Sequence, residues 1–256
     1  MYALSNFITD ELLSGDIRFN PASHANVTAV VVASNRGRVW NVFDNPHHKS
    51  ALLAAGLRPD TALPCAFRFL FRPRPEVAAM YQHTWNVLAD RSALKIGIQI
   101  RVGDRVFKDD VADVSWESIA PFFACAYEIE KTRIVPGQAV LYYLTSDSLA
   151  VRRLAKDRLG DKLLTEVDTL SNHIACEVGN CDPDQQASAL RRAVGDLLSF
   201  SMADYHVYSM NSGFGRLGAW LSFSWHHHYT IKDGTRRCGV DDYDDLRGVA
   251  RNGAGI

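Results

Sequence analysis

Ile96, Ile98 and Ile100 alternate with Gly97 and Gln99, the two-residue period of a β-strand. Lys95 to Arg101 is therefore a predicted strand with a cation at its carboxyl end. Ala139 to Leu144 predicts a second strand, ending in Thr145-Ser146-Asp147-Ser148, and Tyr205 to Tyr208 a short third. Val27 to Ala33 and Arg38 to Phe43 predict two more upstream. The segments between carry helical spacing. His48 to Leu57 stops at Gly56, and the run behind Pro75 places Val77, Met80, Tyr81 and Leu88 near one face. Trp116 to Glu130 spaces Ile119, Phe122, Phe123, Ala126 and Tyr127 as a helix does. A further helix runs to Arg158, before Gly160. Ala187 to Met202 has a stripe of Leu190, Ala193, Val194, Leu197 and Leu198, and Phe214 to about Ser224 follows the turn Asn211-Ser212-Gly213. Strands alternating with helices predict an α/β fold, a parallel sheet covered on both faces.

Arg72-Pro73-Arg74-Pro75 breaks the chain and is a candidate boundary. The rhythm predicts an amino-terminal part over 1–90, a domain of alternating strands and helices over 91–236, and a polar tail over 237–256, where aspartates and glycines gather.

Composition narrows the function classes. The chain has 256 residues, 47% of them hydrophobic, enough for a sizeable core. A formal charge of −1 supplies no basic field for nucleic acid. No run reaches the roughly 20 apolar residues of a membrane span, and Met1 to Ile17 carries Asp10, Glu11 and Asp16, which suits neither signal peptide nor anchor. The expectation is a cytosolic protein or a chain without its targeting part. Five cysteines at wide spacing form no zinc pattern. Cys176 and Cys181 could close a small loop; reduced, partly buried thiols are the alternative.

Three loops should meet on one edge of the sheet: the turn after Arg101, the loop with Ser146 and Asp147, and Asn211 to Gly215. A guanidinium at a strand's carboxyl end can grip a phosphate with two parallel bonds. The third loop would open a helix, with Ser212 at its cap and glycines at 213 and 215 letting an anion approach the backbone. An ordinary strand ending in a surface arginine and a plain helix cap are the alternatives. Asp182-Pro183-Asp184 and Asp242-Tyr243-Asp244 have the loose acid-x-acid pattern of metal-using transferases, and His226-His227-His228 could bind a metal adventitiously. Neither pattern builds a convincing site, because adjacent histidines point different ways. Arg68, Arg72 and Arg74 read as a solvated basic face.

Ile96 to Asp104 resembles the first motif of the fucosyltransferases that use GDP-fucose, among them the α1,2, α1,6, plant xyloglucan and protein O-fucosyltransferase groups. Asp196-Leu197-Leu198-Ser199, Ala203-Asp204 and Ser209 to Arg216 resemble their carboxyl-terminal motif. Leu63-Pro64-Cys65, Phe69 to Pro73 and Ser212 to Gly215 are similar to the plant cell-wall group in particular. The resemblance spans Leu63 to Trp225. It implies a GT-B-like fold with a reduced, acceptor-side amino-terminal half over 1–90 and a Rossmann-like nucleotide-sugar-binding domain over 91–236, and an inverting transfer of fucose from GDP-fucose to a glycan hydroxyl, with no metal or other cofactor. It implies work in the Golgi. Arg101 would hold the β-phosphate, with Asn211, Ser212, Gly213 and Phe214 around the same pyrophosphate. Asp196 would accept from guanine, or else be a solvated helix position. Asp147 would contact the nucleoside and Gln99 the donor. Asp109, eight residues past Arg101, is the first candidate for general base, with Asp104 and Asp110 as competitors. Gln99 stands where many members have histidine, and Val102 where some have a second arginine. A non-catalytic domain that kept the fold, and a transferase using another nucleotide sugar, are the alternatives.

Overall fold

The computed structural model describes residues 43–103, 114–167, 182–210, 212–223, 227–232 and 238. The elements run α1 (Lys49–Ala54), α2 (Pro59–Leu70), α3 (Pro75–Leu88), β1 (Leu94–Ile100), α4 (Trp116–Arg133), β2 (Val140–Ser146), α5 (Leu149–Leu159), β3 (Leu163–Leu164), α6 (Pro183–Phe200), β4 (Tyr205–Ser209), α7 (Gly213–Leu221) and β5 (His228–Ile231). The five strands form one sheet in the order β3-β2-β1-β4-β5, and every pairing is parallel. The expected α/β architecture, a parallel sheet flanked by helices, is what the chain adopts.

The strand order reverses once. From β1 the chain builds outward through β2 and β3, then returns across the sheet to lay β4 on the other side of β1. Connections leaving β1 and β4 therefore diverge at their carboxyl ends and open a crevice, where ligands of such sheets bind.

The two faces of the sheet differ in chemistry. Ile96, Ile98 and Ile100, with Leu144, Val207 and Ile231, pack on Ile119, Phe123, Ala126 and Ile129 of α4 and Val151 and Ala155 of α5 in one aliphatic core. The opposite face is polar and equally buried. Gln99 lies in register between Thr145 and Tyr208, with Thr230 beyond. One row below, Gly97 lies between Tyr143 and His206, with His228 beyond. α3, α6 and α7 cover this face, and Leu88, Phe200 and Ala219 are its apolar contribution.

This asymmetry explains the elements that periodicity missed. β5 alternates His228 and Thr230 with Tyr229 and Ile231, so half of its buried positions are polar. β3 has two residues, too few for any period. The helix α2 was also missed; it starts with Pro59 in its first turn and contains Pro64. In α3 the buried stripe is Val77, Tyr81, Thr84 and Leu88, and Met80, expected near it, is exposed. Tyr127 and Leu190 likewise lie on the outer sides of α4 and α6. The strand expected over Val27 to Ala33 lies outside the described residues, as does all of Arg38 to Phe43 except Phe43, which is helical and buried rather than in a strand.

Cys125 of α4 is bridged to Cys238, a pairing the sequence did not indicate. Those two cysteines are therefore not reduced thiols, while Cys65 is free and exposed. Cys176 and Cys181 lie outside the described residues. No described helix is long and apolar enough to cross a membrane.

Candidate functional site

Three of the polar-face strands deliver their next residues to the crevice. β1 stops at Ile100 and hands on Arg101, whose N–H donates to Ser209 Oγ at the end of β4 (2.9 Å). β2 runs two residues further than the apolar pattern indicated, to Ser146, so Asp147 is the first residue beyond it. Asp147 reaches across to β1. Its Oδ2 lies 3.1 Å from Arg101 Nη1. Its two oxygens also accept the N–H groups of Val102 (2.8 Å) and Gly103 (3.0 Å). Gly103 has φ 114°, a conformation that favours glycine, and the chain turns there. Asp147 thus closes the turn after Arg101 and neutralises part of its charge.

The third loop is a capped helix start. Ser212 is buried; its Oγ accepts the Gly215 N–H at 3.0 Å, and its own N–H donates to the Ser209 carbonyl. The N–H groups of Gly213 and Phe214 lie in the first turn of α7, where a helix offers no acceptor of its own. Arg216, one turn on, is also buried, and burial lowers the pKa of its guanidinium. Its Nη2 donates to the Met210 carbonyl at 3.1 Å.

Gln99 sits directly beneath this helix start. It is 4% exposed, and its Oε1 has no hydrogen-bond partner among the described residues. A Cβ added to Gly215 would stand 2.6 Å from that oxygen and 2.8 Å from Tyr208 Cβ. Glycine at 215 is what lets α7 settle this close to β1 and β4.

Asp196 is not a solvated helix position. It is buried in α6 and surrounded by donors from three other elements. Tyr81 of α3 and Tyr143 of β2 donate to Oδ1 at 2.8 and 3.1 Å; Thr145 of β2 and Arg152 Nη2 of α5 donate to Oδ2 at 3.1 and 2.7 Å. Burial and the neighbouring carboxylate push both tyrosine hydroxyls far above their ordinary pKa, so they stay protonated as donors. Burial alone would lower the Arg152 pKa, yet the adjacent Asp196 carboxylate raises it above its usual value. Arg152 also donates from Nε and Nη2 to the Ser146 carbonyl, at 2.9 and 2.7 Å.

The remaining candidates separate cleanly. Asp104, Asp109 and Asn211 lie outside the described residues, as do Asp110 and the Asp242–Asp244 pattern. Asp182 caps α6, its Oδ1 accepting the Asp184 N–H at 3.0 Å. Asp204 pins β4 to the start of β1, accepting the Lys95 N–H at 2.9 Å, on the edge away from the crevice. His228 is a buried strand residue, and His227 Nδ1 is bonded to the Asp204 carbonyl. Arg68 stacks on Phe223 and Arg74 pairs with Glu76, so both have protein partners. Sequence reasoning gave no site role to Ser209 and Arg216, although both lie in the carboxyl-terminal motif, to Tyr81, read only as part of a helical stripe, or to Arg152, a cation early in the predicted helix after the Asp147 loop.

No family model and no curated protein matches the chain. Among solved structures it is similar to an Arabidopsis thaliana FUT1 mutant in complex with GDP. The two are 18% identical, with a TM-score of 0.48. The match covers 71% of this chain and 39% of that one, so this chain spans well under half of that protein's length.

Proposed function

We propose that the crevice between β1 and β4 binds the pyrophosphate of a nucleoside-diphosphate sugar, and that the protein transfers the sugar, fucose from GDP-fucose, to a hydroxyl of a glycan. The carrying observation is that the Arg101 backbone is bonded to Ser209 at the end of β4, three residues before the Ser212 cap of α7, where strand order reverses. A guanidinium fork and the backbone N–H groups of a helix start at neighbouring strand ends suit a pyrophosphate. The resemblance of Ile96 to Asp104 and Ser209 to Arg216 to the fucosyltransferase motifs supports the same assignment, and with it a GT-B-like architecture.

In this reading the bond between the sugar C1 and the β-phosphate oxygen breaks as the acceptor oxygen bonds C1 from the opposite side, inverting the centre. Negative charge gathers on the departing diphosphate. Arg101 and the Gly213 and Phe214 N–H groups stabilise it there, the role a divalent metal fills in other transferases. The acceptor proton passes to a carboxylate, and Asp109, then Asp104, are the sequence candidates. Gln99 offers the nucleobase side of the site a carboxamide, which can both donate and accept. Val102 supplies no second cation; Arg216 brings one from α7. The Cys125–Cys238 bridge supports a compartment where disulfides persist, such as the Golgi lumen.

Calorimetric titration with GDP and with UDP tests the site. Binding selective for GDP and abolished by Arg101→Ala is expected. Unchanged binding by that variant would remove the assignment, and preference for UDP would move it to another nucleotide sugar. A second reading, a non-catalytic domain that kept the fold, draws on the counter-ion that Asp147 already provides to Arg101. Fucose transfer from GDP-fucose to any oligosaccharide excludes it.

A further inference from the structure

We propose that Asp147, Arg152 and Asp196 act in series as positioning residues for Arg101, and that Asp196 works through this chain rather than on the ligand. The inference rests on the pyrophosphate reading and assigns roles within that site. Each link is a charge-assisted contact. Asp196 Oδ2 holds Arg152 Nη2 at 2.7 Å. Arg152 grips the Ser146 carbonyl with two donors. Ser146 is the last residue of β2 and fixes where Asp147 leaves the sheet. Asp147 then holds the Arg101 guanidinium and the two N–H groups that follow it.

The series is buried up to its last member. The Asp196 and Arg152 side chains are 8% and 5% exposed, Asp147 is 7%, and Arg101 is 38%. A rigid, desolvated pair at the base thus supports a guanidinium at the surface. An unsupported arginine would spend most of its time in rotamers that miss a phosphate, and fixing one of them beforehand removes that entropic cost from binding. Two oxygens of Asp147 serving three donors also set the direction of the guanidinium fork.

A simple counter-ion role for Asp147 makes the opposite prediction. If Asp147 only cancelled charge, removing its carboxylate would strengthen anion binding. If it positions Arg101, removal weakens binding although the site becomes more positive. Asp147→Asn is therefore titrated with GDP beside the wild-type chain and Arg101→Ala. The expected result is about a tenfold loss of affinity, the scale of a hydrogen bond to a charged group. Equal or tighter binding overturns the proposal.

Hydrogen exchange at the Val102 and Gly103 amides gives a readout independent of any ligand. It should accelerate in Asp147→Asn and also in Arg152→Lys, which keeps the charge but loses the fork, under conditions where both remain folded. Unchanged exchange in Arg152→Lys breaks the series whatever the titration shows. Failure of the wild-type chain to bind GDP, or binding unaffected by Arg101→Ala, rejects the pyrophosphate reading itself.

Discussion

Arg152 and Asp196 form a desolvated ion pair, 2.7 Å from Nη2 to Oδ2, between two helices on opposite sides of β2. Such a pair is stable only because the remaining donors and acceptors are satisfied. Here Tyr81, Tyr143 and Thr145 complete the carboxylate, and the Ser146 and Glu166 carbonyls take the rest of the guanidinium. Asp196→Ala would leave a buried cation without its counter-ion and the Tyr143 and Thr145 hydroxyls without this acceptor, while Tyr81 keeps the Arg192 carbonyl at 3.1 Å. The expected loss of stability is about 3–5 kcal/mol, read from urea unfolding. A loss below about 1 kcal/mol, the worth of an exposed pair, would contradict the desolvated network.

His206 gives the fold a dependence on mild acid. It is fully buried; Nε2 is bonded to the Phe200 carbonyl at 3.0 Å, and Nδ1 has no hydrogen-bond partner among the described residues. Burial first, then the nearby His228 and His227 rings, push its pKa well below 6.5, against a smaller opposing effect of the Phe200 carbonyl. Unfolding restores the ordinary value, so below it the unfolded chain binds a proton that the folded chain refuses. Stability is full above the unfolded pKa and falls as pH drops towards the folded one. The slope should be about 1.4 kcal/mol per pH unit, checked by unfolding midpoints between about pH 7 and pH 5.5. His206→Gln should flatten this dependence.

The helices on both faces of the sheet were readable, and so was the aliphatic face, but the burial of the polar face was not. β1, α4 and α5 follow from Ile96, Ile98, Ile100 and the α4 stripe because those positions obey one burial rule. On the other face, Gln99, His206, His228 and Thr230 are as buried as the isoleucines, and no hydropathy pattern reports that. Arg101 was legible because a cation ends an apolar strand. Its partner Asp147 was located but given a ligand to hold, since only the register of β1 against β2 shows it facing Arg101. The surroundings of Asp196 come from α3, α5 and β2, which one sequence cannot bring together.

The Cys125–Cys238 bridge joins α4 to a residue beyond β5 across a separation of 113 residues. A loop of that size restricts the unfolded chain strongly, about 4–5 kcal/mol in the chain-entropy account. Reductant should therefore lower the thermal midpoint of the wild-type chain and leave that of Cys238→Ser unchanged. Equal response of both would mean that this bridge contributes nothing in solution.

Gly215→Ala tests whether the close seat of α7 matters for the site. The new methyl group would meet Gln99 Oε1 at 2.6 Å and Tyr208 Cβ at 2.8 Å. The first obstacle is the end of a flexible side chain and can swing aside. The second is fixed to the backbone of β4, so the helix must lift. Overpacking of this kind costs about 1–3 kcal/mol. Lifting α7 carries Ser212 and the Gly213 and Phe214 N–H groups away from Arg101. GDP affinity should therefore fall at temperatures where the variant is fully folded. A variant that is destabilised yet binds GDP as the wild type does would separate the helix start from the anion site and leave Arg101 as its anchor.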